Sequence, residues 1–135
     1  MLITGATSGI GKAAVLQFAE VGHQLILVNR SKSKSEELRN TVLEKYPDAH
    51  LDFIYADFSD LNQVKHAAEQ IKAKYNAIDI LISNAAIIDK HGTTLPNGLE
   101  ANFSVNYMAA ALFVLMLRIP IKYVWFDFKI SFINI

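Results

Sequence analysis

The chain has 135 residues, with 13 Lys or Arg against 13 Asp or Glu, so its formal net charge is zero. At 52% hydrophobic and 19% charged residues it is too apolar for a disordered chain, and it is long enough for one domain with a substantial core. Balanced charge removes the electrostatic footprint of a nucleic-acid binder, and the absence of cysteine removes disulfide scaffolds, thiolate zinc sites and thiol nucleophiles.

The N-terminus MLITGATSGIG has neither a basic leader nor a long apolar run, so no secretory signal is expected. Met1 to Thr4 is a short apolar run that stops at Gly5, which suits a buried strand. Helical spacing follows from Ile10 through Ala14 and Phe18 to a stop at Gly22. Gln24 to Val28 is a second β-branched run, Ser31 to Ser35 reads as a polar turn, and Glu36 to Tyr46 reads as an exposed helix ended by Pro47. Leu51 to Tyr55 is a third strand. Asp60 with Gln63 resembles a capping box, opening a helix whose apolar face is Val64, Ala67, Ala68, Ile71 and Tyr75. Ile78 to Ile82 is a fourth strand, His91 to Gly98 a loop, and Leu99 to Leu117 one long buried helix.

Strands that alternate with helices predict a parallel sheet, with right-handed crossovers placing helices on both faces. The expected fold class is α/β, a doubly wound parallel sheet of about four strands over residues 1–117, followed by a divergent tail at 118–135. The apolar stretch Tyr107 to Leu117 is too short to span a bilayer, which needs about 20 such residues. The expected location is therefore cytoplasmic or associated with an organelle membrane. In the tail, 12 of the 17 residues from Ile119 to Ile135 are Ile, Phe, Lys, Tyr or Asn, types with A/T-rich codons. That bias points to read-through from an intron, a frameshift or an alternative exon, and an abundant independent transcript encoding the same tail would count against a gene-model error. With only four strands, the fourth would be an apolar sheet edge, and Tyr123 to Ile133 is the expected surrogate fifth strand.

The segment Thr4-Gly5-Ala6-Thr7-Ser8-Gly9-Ile10-Gly11 lies between the first strand and the first helix. In that place Gly5 permits a tight turn, Gly9 lets backbone approach a pyrophosphate, and Gly11 lets helix and strand pack closely. The helix start offers free N–H groups and its positive dipole end to phosphates. The Gly-x-x-x-Gly-x-Gly spacing resembles the Thr-Gly-x-x-x-Gly-x-Gly motif of the short-chain dehydrogenase/reductase family, matched by Thr4, Gly5, Gly9 and Gly11. Asn29-Arg30 ends strand two, Asp57-Phe58 follows strand three, and Ser83-Asn84-Ala85-Ala86 stands where the family has Asn-Asn-Ala-Gly. Val105-Asn106-Tyr107 looks like the helix that carries the family's catalytic Asn. GLEANFSVNY is most like the retinol-dehydrogenase and WW-domain oxidoreductase branch.

The resemblance implies a Rossmann-type fold truncated after about four strands, with residues 1–117 as its dinucleotide-binding portion, and a nicotinamide dinucleotide held by Thr4, Gly5, Thr7, Ser8, Gly9, Ile10, Gly11, Asn29, Arg30, Asp57, Phe58, Asn84, Ala85 and Ala86. A carboxylate at the end of strand two would accept the adenosine ribose 2′-OH and favour NAD. Here Arg30 can pair with a 2′-phosphate, with Lys32 and Lys34 adding field, so the expected cofactor is NADP rather than NAD. The competing reading of Arg30 is a solvated surface charge. Asp57 matches the residue near the adenine, or else is a loop carboxylate or helix cap. Asn84 and Ala85 would support the ribose and the adjoining strand. Ser83 lacks an amide that ties neighbouring strands, and Ala86 adds a Cβ near the ligand. In the family the residue at Asn106 bends its helix and holds a water of the proton relay; otherwise it is an amide facing a polar gap. His23, His50, His66 and His91 show no metal-ligand spacing, and no metal is expected.

The family transfers hydride between nicotinamide and a carbinol or carbonyl carbon, with a Tyr acid/base, a Lys four residues later and an orienting Ser. Four residues after Tyr46, Tyr55, Tyr75, Tyr107 and Tyr123 stand His50, Ser59, Asp79, Ala111 and Asp127. There is no Tyr-x-x-x-Lys. The expected function is the cofactor-binding portion of an NADP-dependent oxidoreductase acting on alcohol and carbonyl groups, inactive as this chain and taking substrate only at full length. The alternative is a non-catalytic short isoform that binds NADP(H) or a full-length partner. Neither substrate nor homo-oligomeric state is legible in the sequence.

Overall fold

A computed structural model describes residues 1–126. Five parallel strands alternate with helices: β1 (Leu2–Thr4), α1 (Gly9–Glu20), β2 (Leu25–Asn29), α2 (Lys32–Lys45), β3 (Leu51–Tyr55), α3 (Leu61–Lys74) and β4 (Ile78–Ser83). Next come α4 (Ala101–Phe103), a π-turn (Ser104–Ala109), α5 (Ala110–Leu117) and β5 (Ile121–Phe126). The sheet order is β3-β2-β1-β4-β5. Alternation along the strands builds two cores. Leu2, Ile26, Val28, Ile54 and Leu81 pack with Val64, Ile71, Phe113 and Leu117 of α3 and α5. Ile3, Leu25, Leu27 and Ile82 pack with Val15, Leu38 and Val42 of α1 and α2. Successive residues of a strand thus serve opposite faces, and every residue of β2 is buried, as a doubly wound sheet requires.

Three expectations change. First, the described residues form five strands rather than four: the expected surrogate strand pairs with β4, as the sequence suggested, but it starts two residues earlier, with Ile78 aligned to Ile121 and Ile80 to Tyr123 in a parallel pair. The crossover through α5 returns the chain in the same direction, so Ile121–Phe126 belongs to the sheet. The part of the expected surrogate strand from Asp127 onward lies outside the described residues. Second, Ser31 to Ser35 is not a turn. Ser31 is the N-cap of α2, its Oγ accepting the Lys34 N–H at 3.3 Å, and buried Ser35 donates to the Ser31 carbonyl at 2.8 Å. Third, the long helix from Leu99 is interrupted by the π-turn. One further bond departs from the capping box at Asp60. Asp60 accepts the Asn62 N–H, but Gln63 Oε1 accepts from the Asp57 N–H instead of the Asp60 N–H. Among the described residues no helix is long and apolar enough to cross a membrane.

At the end of the sheet away from the glycine loop, Asp52 ties β3 to the C-terminus of α3. Its Oδ2 accepts from Lys74 Nζ at 2.5 Å and from the Tyr75 hydroxyl. Burial pushes this carboxyl up, but the hydrogen bonds from Lys74 and Tyr75 outweigh it and leave it below its ordinary value. A depressed carboxyl stabilises the fold above its unfolded pKa, about 3.9, and that stabilisation is lost as pH falls through the folded value. Asp52→Asn is therefore expected to lower the Tm by roughly 2–4 °C at pH 7. The difference should shrink as pH falls below the unfolded value and through the folded one, and a pH-independent difference in thermal unfolding would reject the ionic origin.

Candidate functional site: a cleft at the carboxyl end of the sheet

The two halves of the sheet diverge from β1. The chain leaves β1 toward β2 on one side and reaches β4 on the other, so the loops after β1 and β4 separate and open a crevice. A cleft of about 300 Å³ lies there, lined from the carboxyl ends of β1, β2, β3 and β4. Gly5, Thr7, Ser8, Gly9 and Ile10 come from the first loop, Asn29, Arg30, Ser31 and Lys34 from beyond β2, Asp57, Phe58 and Ser59 from beyond β3, and Asn84, Ala85, Ala86 and Ile87 from beyond β4.

Most sequence-predicted residues meet at this lining. Thr4 and Gly11 are buried behind it. Thr4 Oγ1 accepts the backbone N–H groups of Asn84 and Ala85 at 3.0 and 2.9 Å, and Asn84 Nδ2 donates to the carbonyls of Thr4 and Gly5 at 3.0 and 2.9 Å. These bonds clamp β1 to the end of β4, a tie that does not depend on an amide at Ser83. Gly5 has φ +67°, and a Cβ there would come 2.7 Å from the Ala85 Cα. A Cβ on Gly11 would meet the Gly5 carbonyl oxygen at 2.5 Å and Asn84 Nδ2 at 2.7 Å.

The start of α1 differs from the other helix starts. Ser31 and Asp60 cap α2 and α3 with side-chain oxygens, but Ser8, the N-cap of α1, makes no side-chain cap bond. The first bond of that helix runs from the Lys12 N–H to the Ser8 carbonyl, so the N–H groups before Lys12 have no intrahelical partner. Ser8, Gly9 and Ile10 line the cleft with those donors. Asn84 supplies a second open valence. Since Nδ2 faces two carbonyls, the amide orientation is set by its bonds. The remaining Oδ1 is buried without a donor among the described residues. An unpaired acceptor and a set of unpaired helix N–H groups in one crevice fit a ligand that carries both hydroxyl and phosphate groups.

At the opposite end of the lining, Asn29 is 2% exposed. Its Oδ1 accepts the Ala6 N–H at 2.8 Å and its Nδ2 donates to Ser35 Oγ at 3.2 Å. The amide braces the glycine loop against α2 and is not free for a ribose. Arg30 next to it has a side chain 70% exposed, 3.7 Å from Asp57 Oδ2. Asp57 Oδ1 is already engaged by the backbone N–H and hydroxyl of Ser59 at 2.9 and 2.7 Å. Lys34 joins Arg30 at the lining, while Lys32 sits over the Tyr55 ring.

Asn106 does not line the cleft. Its Oδ1 accepts the Ile87 N–H at 2.8 Å and its Nδ2 donates to the Ile87 carbonyl at 2.9 Å, so it grips a lining residue. Asn102, which the sequence reading passed over, grips Asp89 the same way, with both bonds at 2.8 Å. Two amides one turn apart therefore hold alternate residues of the loop after β4. The signal was present as two Asn at i, i+4 on an apolar helix. Glu100 fixes the start of that helix by accepting from the N–H groups of Asn102 and Phe103, and these bonds hold its carboxyl below the ordinary range. Sequence reading also missed Ser31, Ser59, Ile87 and Val105 as lining. All four histidines are exposed, and among the described residues no group of three potential ligands could hold a metal ion.

A family model described as short chain dehydrogenase matches residues 1–118, nearly the whole chain. The chain belongs to the short-chain dehydrogenase family. Among members of that family, DnrU of Streptomyces sp. (strain C5) is 38% identical over 118 residues, which are 87% of this chain and 41% of that one. The human WW domain-containing oxidoreductase is 32% identical over 118 residues, 87% of this chain and 28% of that one, in keeping with the branch suggested by GLEANFSVNY. The crystal structure of L-sorbose reductase from Gluconobacter frateurii, complexed with NADPH and L-sorbose, superposes with a TM-score of 0.70 at 25% identity. That superposition covers 86% of this chain and 44% of the reductase. The chain thus spans less than half the length of these short-chain dehydrogenases. Members of the family use a nicotinamide cofactor, and the cleft lies where a doubly wound sheet binds one.

Proposed function

We propose that these residues are the NADP-binding portion of a short-chain oxidoreductase acting on alcohol and carbonyl groups, and that the 135 residues by themselves bind the cofactor without turnover. The uncapped start of α1 inside the cleft carries the reading. Its free N–H groups at Ser8, Gly9 and Ile10 would meet the pyrophosphate, with the positive end of a 12-residue helix behind them. Asn84 Oδ1 would accept from a ribose hydroxyl. Arg30 and Lys34 would meet a 2′-phosphate beside the N-terminus of α2, whose cap Ser31 also lines the cleft. Bound there, the nicotinamide would supply or accept hydride.

The preference for NADP over NAD rests on what stands at the end of β2. The Asn29 amide is committed to Ala6 and Ser35, no carboxylate takes its place, and the exposed group is a guanidinium. Asp57, the nearest carboxylate, is held by Ser59 and faces Arg30. The expected lack of turnover rests on the proton. None of the five tyrosines has a lysine four residues later, and none lines the cleft. Without that acid/base the site forgoes roughly 10²–10⁴-fold of rate. Titration calorimetry with NADPH and NADH is expected to show NADPH binding at least 10-fold more tightly. Incubation with NADPH and a retinal-like or steroid-like carbonyl is expected to give no oxidation above the protein-free rate. Tighter NADH binding would overturn the cofactor preference, and measurable turnover by the pure chain would overturn the inactivity.

A further inference from the structure

The buried stripe of α2 has one polar member. Ser35, Leu38 and Val42 are its buried residues, and Leu38 and Val42 pack with Leu25 and Leu27 of β2. Ser35 is 0% exposed. A hydroxyl is costly to bury unless it is hydrogen-bonded, and serine forms helix less readily than the alanine that would fill nearly the same space. Here the hydroxyl is fully employed. It donates to the Ser31 carbonyl at 2.8 Å and accepts from Asn29 Nδ2 at 3.2 Å.

Two walls of the cleft meet through it. Asn29 Oδ1 accepts the Ala6 N–H at 2.8 Å, so an unbroken chain of bonds runs from the glycine loop through Asn29 and Ser35 to Ser31, the N-cap of α2. The two ends are not held equally. The glycine loop has other ties, since the Gly5 N–H donates to the Val28 carbonyl at 2.9 Å and Asn84 Nδ2 donates to the Thr4 and Gly5 carbonyls. Among the described residues, the bond from Asn29 to Ser35 is the one hydrogen bond that joins α2 to the sheet. Ser31 and Lys34, from the start of that helix, line the cleft beside Arg30, while Ser35 stands behind the lining. Releasing Ser35 therefore loosens the α2 wall and leaves the α1 wall in place.

We propose that Ser35 is a positioning residue for cofactor choice. It holds Ser31 and Lys34 at a fixed spacing from the glycine loop, so that a dinucleotide seated by its pyrophosphate at α1 brings its 2′-phosphate to the start of α2. This rests on the NADP reading above and adds the residue that sets the spacing. NADPH uses both anchor points at once, and misplacing one of them loses the charge-assisted bonds made there. NADH has no 2′-phosphate and needs only the anchor at α1. Ser35 thus acts on the difference between the two cofactors rather than on dinucleotide binding as such.

Titration calorimetry of NADPH and NADH against the wild-type chain, Ser35→Ala and Ser35→Thr tests this. It is run at about 10 °C, near the usual temperature of maximum stability, with circular dichroism to follow the fold. Ser35→Ala is expected to weaken NADPH about 5–10-fold and NADH by less than about 2-fold. Ser35→Thr keeps the hydroxyl and is expected to keep the ratio of the two affinities within about 2-fold of the wild type. Equal weakening of both cofactors in Ser35→Ala would overturn the proposal, because a residue that only supports the fold moves both together. So would an unchanged ratio in Ser35→Ala, or a Ser35→Thr that loses NADPH as the alanine variant does. A Ser35→Ala chain that is unfolded at that temperature would also overturn it, since the hydroxyl would then be a requirement of the fold. A wild type with no preference for NADPH removes the NADP reading and the role of Ser35 together. A wild type that prefers NADPH, with a ratio untouched by Ser35→Ala, removes the role of Ser35 alone.

Discussion

Gly9→Ala is expected to fold and to lose cofactor, whereas Gly11→Ala is expected to be strongly destabilised. The two positions are two residues apart in one motif, but their surroundings differ. At Gly9 a Cβ would meet nothing within 4 Å, so the only structural cost is its φ of +53°. An alanine held there costs roughly 1–2 kcal/mol, a Tm loss of about 3–8 °C. That Cβ would stand among the free N–H groups at the start of α1, and NADPH affinity is expected to fall about 10–100-fold for a loss of roughly 1.4–3 kcal/mol in phosphate hydrogen bonds. At Gly11 the Cβ would drive into the Gly5 carbonyl, Asn84 Nδ2 and the Ala6 Cα at 2.5, 2.7 and 3.0 Å. Two of these atoms are backbone and cannot swing away, and the third is the amide that clamps β1 to β4. Overpacking and a broken clamp together cost about 3 kcal/mol or more, much of a total stability of about 5–15 kcal/mol. Thermal unfolding separates the variants, and NADPH titration of folded Gly9→Ala completes the test. Wild-type affinity in Gly9→Ala would remove Gly9 from the phosphate site.

The same loop shows what a sequence can disclose. Its glycines act over a few residues, so spacing alone locates the turn, the helix start and the close packing. The two-faced sheet was equally legible, because the alternation of Leu2 with Ile3 and of Ile26 with Leu27 is written in adjacent letters. Ser31 to Ser35 misled because a polar run is common to turns and helix starts. The burial of Ser35 against Asn29, which decides between them, joins β2 to α2 through packing. The π-turn at Ser104–Ala109 left no mark because one extra residue in a turn hardly disturbs an apolar run. The strand at Ile121–Phe126 was legible as a partner for β4 from its β-forming residues and the apolar edge it would cover; its start at Ile121 was not, because that is set by the crossover from α5. Asn29 is the instructive case at the site. Its position at the end of β2 was legible, but its amide is spent inside the protein on Ala6 and Ser35, which leaves recognition at that corner to Arg30.

Arg30→Asp is accordingly expected to reverse the cofactor preference. In the wild-type chain the guanidinium is exposed at the mouth of the cleft, 3.7 Å from Asp57 and close to Lys34 in the same lining. A surface ion pair of that length contributes little to stability, so Arg30 can leave Asp57 for a 2′-phosphate at small cost. A charge-assisted bond to that phosphate is worth about 1.5–3 kcal/mol, roughly 10–150-fold in affinity. Aspartate would remove the bond and add a charge that repels the phosphate, so NADPH binding should weaken by about 100-fold or more. NADH has no 2′-phosphate. For it the new carboxylate is an acceptor at the end of β2, where dinucleotide folds bind the ribose 2′-OH. NADH affinity should therefore hold within about 3-fold or improve. The substitution also sets two carboxylates beside each other at Asp57, so Arg30→Gln serves as the control that removes the cation without that repulsion. It is expected to lose about 10-fold for NADPH and nothing for NADH. Equal losses for both cofactors in Arg30→Asp and Arg30→Gln would show that Arg30 supports the fold of the cleft rather than the phosphate. Titration of both reduced cofactors against the three proteins at fixed ionic strength decides it, since raising the salt should erode the NADPH preference of the wild type and leave NADH nearly unchanged.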